Sequence, residues 1–393
     1  MKPKLTSHVV ATTLVAGLAC VGMTLPAAGA TGSVTAPLHD TANSKALQAH
    51  ADAVLKTGTV GVVARSTGPR GSRYATAGVA DRATGNAVRP GDRFRIASTT
   101  KTFVAAVVLQ LVGEGRLSLD DTVEHWLPGV VSGNGNDGSA ITVRQLLQHT
   151  SGLFDYTVDF PEFASTAGYQ ADRYTTWTPE RLVAIAMRHT PGFAPGDGWS
   201  YSNTNYILAG MIIQKATGHT WDQEATARHP PAGPARHRRP DDVPADGRTP
   251  SARLFLLRRG QGTDRRHRDQ PHRGRHGGRH DQYDGRPHPL LPGAPRRAAA
   301  ASAELAAMKT TVRALELDPG WPGVRYGLGL MEIPLSCGGA YYSHGGDMPG
   351  YTTRNGVSED GRRTVVLNAT SDGSTDSSTQ QAANNLIDDE LCA

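Results

Sequence analysis

Three things are scarce or missing in this sequence. Cysteine occurs three times in 393 residues. That excludes a small disulfide-dense scaffold and leaves no ordered Cys/His spacing of the kind that holds zinc. Beyond the first thirty residues no apolar run is long enough to span a bilayer. Between Pro231 and Ala300 there is neither lysine nor glutamate, although the stretch carries 16 arginines and 7 aspartates. Its net charge of +9 exceeds the +5 of the whole chain, so the remainder sums to −4. The basic balance therefore belongs to one block and says little about the rest of the surface.

The first thirty residues have the pattern of an export signal. Lys2 and Lys4 precede the apolar run VVATTLVAGLACVGMTL, and PAAGA ends on a small-residue cleavage pattern at Ala30. The expected mature chain is secreted, without stable membrane insertion. A lipid on Cys20 is disfavoured because apolar residues continue past it. Cys337 and Cys392 then remain. Two cysteines in an exported chain imply one disulfide, with two unpaired thiols as the alternative. The bond would tie the last residues to an interior strand and stabilise the fold by roughly 3–4 kcal/mol.

After the signal, SKALQAHADAVLK has helical periodicity, and VGVVARS with RYATAGVA reads as a hairpin. STTKTFVAAVVLQLVGEG is apolar almost all round, which predicts a buried helix. ITVRQLLQHTSG opens on a cap at Thr142. SNTNYILAGMIIQKATGH predicts a helix ending near Gly218, and AELAAMKTTV a later one. YGLGLMEI, GAYYSHGG, YTTRNGVSE and TVVLNATS read as strands, and STQQAANNLIDDELC as a closing helix. This order predicts an antiparallel sheet built from both chain ends, flanked by the terminal helices, with a mostly helical lobe inserted.

Three short motifs can carry chemistry. In Ser98-Thr99-Thr100-Lys101 the i, i+3 spacing places a hydroxyl and an amine on one helical face. Serine is a weak nucleophile until a base takes its proton, and a lysine desolvated on an apolar helix can be that base. The backbone N–H groups of the helix start can meet a developing oxyanion. Tyr201-Ser202-Asn203 follows a turn-rich stretch. Its phenol can relay a proton and Asn203 can bind a substrate carbonyl. Alone, it reads more readily as a turn with a capping Asn. His344-Gly345-Gly346 lies on an expected strand, where glycines admit close backbone approach. Alone, it reads as a bulge with a neutral His.

Together, in this order, the motifs resemble the penicillin-recognising serine hydrolases, which include D,D-carboxypeptidases, class C β-lactamases and related esterases. FRIASTTKTFVAAVVLQLVGEGRLSLDDTVEHWLPG, ITVRQLLQHTSGL and WSYSNTNYILAGMII are similar to this family, most of all to exported actinomycete D-alanyl-D-alanine carboxypeptidases. The likeness covers about residues 40–225 and 303–393. It implies an α+β, β-lactamase/transpeptidase-like fold: a sheet lobe of about 40–110 and 303–393, and a helical lobe of about 111–302. It implies Ser98 as acylated nucleophile, Lys101 as base, Tyr201 as proton relay and Asn203 as substrate anchor. His344 would supply positive potential or a hydrogen bond. The N–H groups of Ser98 and Asp347, beside Gly345 and Gly346, would form the oxyanion hole. The Cys337–Cys392 pair is similar to that subgroup's disulfide. The implied protein is a monomer without metal or cofactor, acting on peptidoglycan stem peptides, or on β-lactams or esters. Two departures concern the substrate carboxylate. Gly345 stands where many carboxypeptidases have Thr, and Met331 where some close relatives have a clamping Arg.

The likeness stops at the arginine-rich block. Without interleaved aromatics or a binding motif, that block is a poor nucleic-acid element. It is, however, what a GC-rich gene yields when read out of frame. Read one base later, His280–Asp284 permits Met-Ile-Ser-Thr-Thr, Arg253–Leu257 permits Gly-Tyr-Phe-Ser-Ser, and Arg268–His272 permits Glu-Ile-Asn-Pro-Thr. Compensating frame changes near residues 226–229 and 297–303 are the expectation. They are either real mutations, which would make the chain a damaged family member, or errors in the sequence; an inactive remnant or non-catalytic binding protein is a further alternative.

Overall fold

The computed structural model describes residues 41–160, 166–172, 174–229, 282–283, 298–371 and 377–393. The expected export signal, Cys20 and nearly all of the arginine-rich block lie outside the described residues.

Helix α1 (Thr41–Lys56) buries Leu47, Ala51 and Val54, one stripe at helical spacing. It packs on strand β2 (Gly71–Asp81), which pairs with β1 (Gly61–Gly68) across the tight turn the sequence predicts. A short β3 (Asn86–Ala87) extends this edge. The middle of the chain is helical: α2 (Thr100–Gly113), α3 (Val123–Trp126), α4 (Val143–Gln148), α5 (Thr166–Asp172), α6 (Pro179–Ala186), α7 (Asn203–Thr217) and α8 (Trp221–Arg228). Thr142 caps α4 in a capping box with Gln145, and Gly218 ends α7 with φ +80°.

Helix α9 (Ala298–Met308) leads back to the sheet. There follow β4 (Val312–Arg313), β5 (Arg325–Tyr326), β6 (Met331–Pro334), β7 (Ala340–Ser343), β8 (Gly346–Met348), β9 (Tyr351–Ser358) and β10 (Thr364–Thr370). Helix α10 (Ser377–Cys392) closes the chain and packs on α1. The sheet runs β3-β2-β1-β10-β9-β7-β6-β5-β4, with β8 paired to β9, and all pairings are antiparallel. Strands from both chain ends thus meet at β1 and β10. One apolar core lies between the sheet and the terminal helices, and another among α2, α4, α7 and their neighbours.

Four local readings need correction. Ser98 stands in a 3-10 turn (Ala97–Thr99) ahead of α2 rather than in its first turn. The expected strand YGLGLMEI is interrupted at Gly327–Leu330, because Gly329, at φ +74°, presses against α2; a Cβ there would lie 2.9 Å from the Lys101 carbonyl. The helix expected to run into Thr310–Val312 ends at Met308, and Val312 joins the sheet. Cys337 does bond to Cys392, but from the turn between β6 and β7 rather than from a strand.

Candidate active site

The turn that carries Ser98 is held in an unusual conformation. Ala97 has φ +45°, a region L-residues seldom occupy, directly before Ser98. Tertiary hydrogen bonds hold the turn in place. Thr99 Oγ1 donates to the His344 carbonyl at 2.8 Å, and Asn355 Nδ2 donates to the same oxygen at 2.7 Å. Thr102 Oγ1 donates to the Gly329 carbonyl at 2.7 Å. Ser98 is thereby bolted to His344, which lies in the break between β7 and β8 rather than on a strand as expected.

Lys101 lies on the buried side of α2 among Val104, Ala105 and Val108 and is 6% exposed. Its Nζ is 3.1 Å from Ser98 Oγ and 2.7 Å from Asn203 Oδ1. Burial lowers the ammonium pKa from 10.5 to about 7, and the negative charge of Asp155 only partly opposes this. The free amine is therefore well populated at neutral pH. Burial acts in the other direction on Tyr201. It raises the phenol pKa, outweighing the hydrogen bond with Ser98, and the charges of Asp155 and Asp347 raise it further. A phenol kept neutral can pass a proton but cannot be the resting base. The free amine of Lys101 can be, and it can take the Ser98 proton as Oγ attacks.

The three motifs converge. Lys101 Nζ is 4.8 Å from the ring centre of Tyr201, and Tyr201 lies 6.3 Å, ring to ring, from His344. Gly346 packs so tightly beneath the nucleophile turn that a Cβ would strike the Ile96 carbonyl and lie 3.0 Å from the Ser98 nitrogen. A Cβ on Gly345 would lie 3.2 Å from Arg354 Nη1. Asp347 follows on β8, so the Ser98 and Asp347 amides lie on adjoining segments, as an oxyanion hole requires.

Of the two roles expected of His344, positive potential or a hydrogen bond, its surroundings do not favour the first. It is 4% exposed, and burial with the nearby Lys101 charge lowers its pKa to about 3. Nδ1 lies 2.7 Å from the Gly345 carbonyl, which can only accept, so Nδ1 carries the proton. Nε2 is then free to accept the Tyr326 hydroxyl at 2.8 Å. The imidazole is neutral, with both nitrogens engaged.

Several residues at the site were not singled out in the sequence. Asp155 Oδ2 accepts from Asn203 Nδ2 at 2.9 Å, continuing a chain from Ser98 through Lys101 and Asn203. His149 is fully buried, at φ +63°, with its ring 4.3 Å from that of Tyr201. Its Nδ1 accepts from the Ser202 N–H and from Asn205 Nδ2, both at 3.1 Å, so it fixes the backbone just after Tyr201. Glu316 accepts from the Tyr201 N–H at 3.2 Å. His149 was within reach of sequence reasoning, since it sits in the family-like HTSG stretch. Among the described residues no cluster of three or more His, Cys, Asp or Glu could hold a metal, and the chemistry above needs none.

Comparison with known proteins gives the family. The Beta-lactamase family profile matches residues 44–229. Penicillin-binding protein 4* of Bacillus subtilis is 36% identical over 143 residues, 36% of this chain and 29% of that protein. Esterase EstB of Burkholderia gladioli is 36% identical over 148 residues, 36% of each chain. The chain thus spans about a third of the curated relatives it matches. A solved D-stereospecific amidohydrolase from Streptomyces sp. is 34% identical with a TM-score of 0.60, covering 86% of this chain and 98% of that one. By fold, by motif order and by that full-length likeness, the chain belongs to the β-lactamase/transpeptidase-like family of penicillin-recognising serine hydrolases.

Proposed function

We propose that this chain hydrolyses amide or ester bonds of short D-amino-acyl compounds through an acyl-enzyme on Ser98. The observation that carries the reading is the pairing of a lysine whose pKa lies about 7 with a serine hydroxyl 3.1 Å away, beside a neutral tyrosine. Lys101 takes the Ser98 proton as Oγ bonds to the carbonyl carbon. The amides of Ser98 and Asp347 hold the oxyanion, and Asn203 orients the substrate. As the C–N or C–O bond breaks, Tyr201 passes a proton to the departing amine or alcohol. Water then attacks the ester by the reverse relay, giving the acid and restoring Ser98.

The test is intact-mass spectrometry after incubation with benzylpenicillin and with a D-amino-acyl p-nitrophenyl ester. A covalent adduct on the native chain that is lost in Ser98→Ala is expected. Absence of any adduct on the native chain would overturn the reading.

Similarity to Penicillin-binding protein 4* supports a narrower second reading, a D-alanyl-D-alanine carboxypeptidase on cell-wall peptides. The proposed location is outside the cell after cleavage at Ala30, and N-terminal sequencing of the chain from culture medium checks it. Among the described residues no helix is long and apolar enough to cross a membrane.

A further inference from the structure

The sequence places Met331 where a clamping arginine is expected. The structure buries Met331 at 3% exposure among apolar neighbours, so no cation comes from that strand. An arginine does reach the neighbourhood from β9. Arg354 is 3% exposed, its guanidinium lies 5.3 Å from the Trp321 ring centre, and Nη1 occupies the space beside Gly345. It is not open to a substrate. Nη1 donates to Asp347 Oδ1 at 3.0 Å and to the Thr353 carbonyl at 3.0 Å. Asp347 is the residue that directly follows the two glycines under Ser98, and its side chain is 47% exposed. The guanidinium beside the oxyanion position is therefore already paired with a carboxylate of the chain itself.

The other basic groups here are equally committed. Lys101 donates to Asn203 and faces Ser98, His344 is neutral, and His149 is buried with its pKa well below the ordinary value. Carboxylates surround them instead. Asp155 is bonded to Asn203, Glu316 to the Tyr201 backbone, and the charges of Asp155 and Asp347 both reach the Tyr201 phenol. A substrate ending in a free carboxylate would bring a negative charge toward Asp347 and meet a guanidinium already paired with that carboxylate. An amide or ester end meets no such repulsion.

We infer that Asp347, by occupying Arg354, makes this site select substrates whose leaving group carries no carboxylate, and so act on amidated or esterified D-amino-acyl ends rather than on free carboxy-termini. This rests on the acyl-serine reading and decides between its two substrate forms.

The test compares N-acetyl-D-Ala-D-Ala with its C-terminal amide on the full chain. Release of D-alanine and of D-alaninamide is measured by mass spectrometry. The native chain is expected to favour the amide by about tenfold or more in kcat/KM, the size of one partly screened like-charge contact. Asp347→Asn and Asp347→Thr should raise the acid's rate relative to the amide's by about tenfold, since either substitution removes the carboxylate charge that repels the acid and neutralises Arg354. If these variants fold poorly because Arg354 loses its partner, the native chain still answers. Added salt should speed acid cleavage and leave amide cleavage nearly flat. Equal rates on acid and amide, or a salt response shared by both, would overturn the inference alone. Failure of both substrates and of benzylpenicillin to leave an adduct on Ser98 would overturn the acyl-serine reading and this inference with it.

Discussion

Lys101 Nζ sits closer to Asn203 Oδ1, at 2.7 Å, than to Ser98 Oγ, at 3.1 Å. An amide oxygen can only accept, so the amine donates a hydrogen to Asn203. As a neutral amine, Nζ then has its lone pair left for the Ser98 hydroxyl. In the proposed mechanism Asn203 thus aims the base as well as meeting the substrate. The acylation rate should rise with pH around a midpoint of about 7, the value to which burial brings Lys101, and level off above it. Asn203→Asp places a negative charge against Nζ, favours the ammonium and moves that limb upward by about one unit or more. At pH 7 this costs about tenfold in kcat/KM, largely recovered near pH 9. A pH–rate profile of the variant with an unmoved limb would count against the aiming role.

Asp155 tests the same balance with the opposite sign. Its charge raises the Lys101 pKa against the larger effect of burial. Asp155→Asn removes the charge but keeps an oxygen to accept from Asn203 Nδ2. The ammonium then loses support, the pKa falls, and the acid limb moves below 7 by about half a unit to one unit. The variant should gain relative activity at pH 6. A limb that moves upward would mean that Asp155 acts by position rather than by charge.

The Cys337–Cys392 bond closes a loop with a sequence separation of 55. In the chain-entropy account such a closure is worth about 4 kcal/mol, independently of contacts in the folded state. Cys392 ends α10 and Cys337 lies in the turn between β6 and β7, and Leu386, Ile387 and Leu391 would still hold that helix in the core. Cys337→Ser with Cys392→Ser should therefore lower the urea midpoint by an amount matching a loss of about 2–4 kcal/mol, with kcat little changed at 25 °C. A loss of activity at unchanged stability would contradict this separation of fold and site.

The elements legible in the sequence were those whose cause is local. The apolar run of α2, the capping box at Thr142 and the Gly218 stop each rest on residues within one or two turns. Ser98, Lys101, Tyr201, Asn203 and His344 stand in motifs far apart in the sequence, and folding brings them together. The rest depended on pairings made only by folding. Asp155 finds Asn203 across 48 positions, and His149 finds Ser202 across 53. The charge of His344 could not be read either. It is set first by burial and then by the Lys101 charge, while Tyr326, 18 residues earlier, engages Nε2, so a residue expected to supply positive potential or a hydrogen bond is a neutral imidazole. The Arg354–Asp347 pair is close in sequence, but nothing marked it until β8 and β9 were seen side by side.

The proposed frame changes can be tested on the protein as well as on its gene. The family match ends at residue 229, inside the first expected window. Arg228 is still a fitted residue. Its Nε donates to Glu224 at 2.8 Å and its Nη2 to Glu114 at 3.1 Å, which locks α8 against the end of α2. By Met308, whose side chain is 7% exposed and whose carbonyl accepts from Leu328, the chain is fitted again. Between these points the sequence has 16 arginines and few apolar residues, too few to bury a helical face against the core of α2 and α7. Re-reading the DNA across codons 225–303 should reveal two compensating single-base changes. A chain with the frame restored between them should melt several degrees higher and gain at least tenfold in kcat/KM, since the restored sequence supplies apolar residues that the block lacks. If the chain as given equals the restored one in both measurements, the block is a working part of the enzyme, and the out-of-frame reading is wrong.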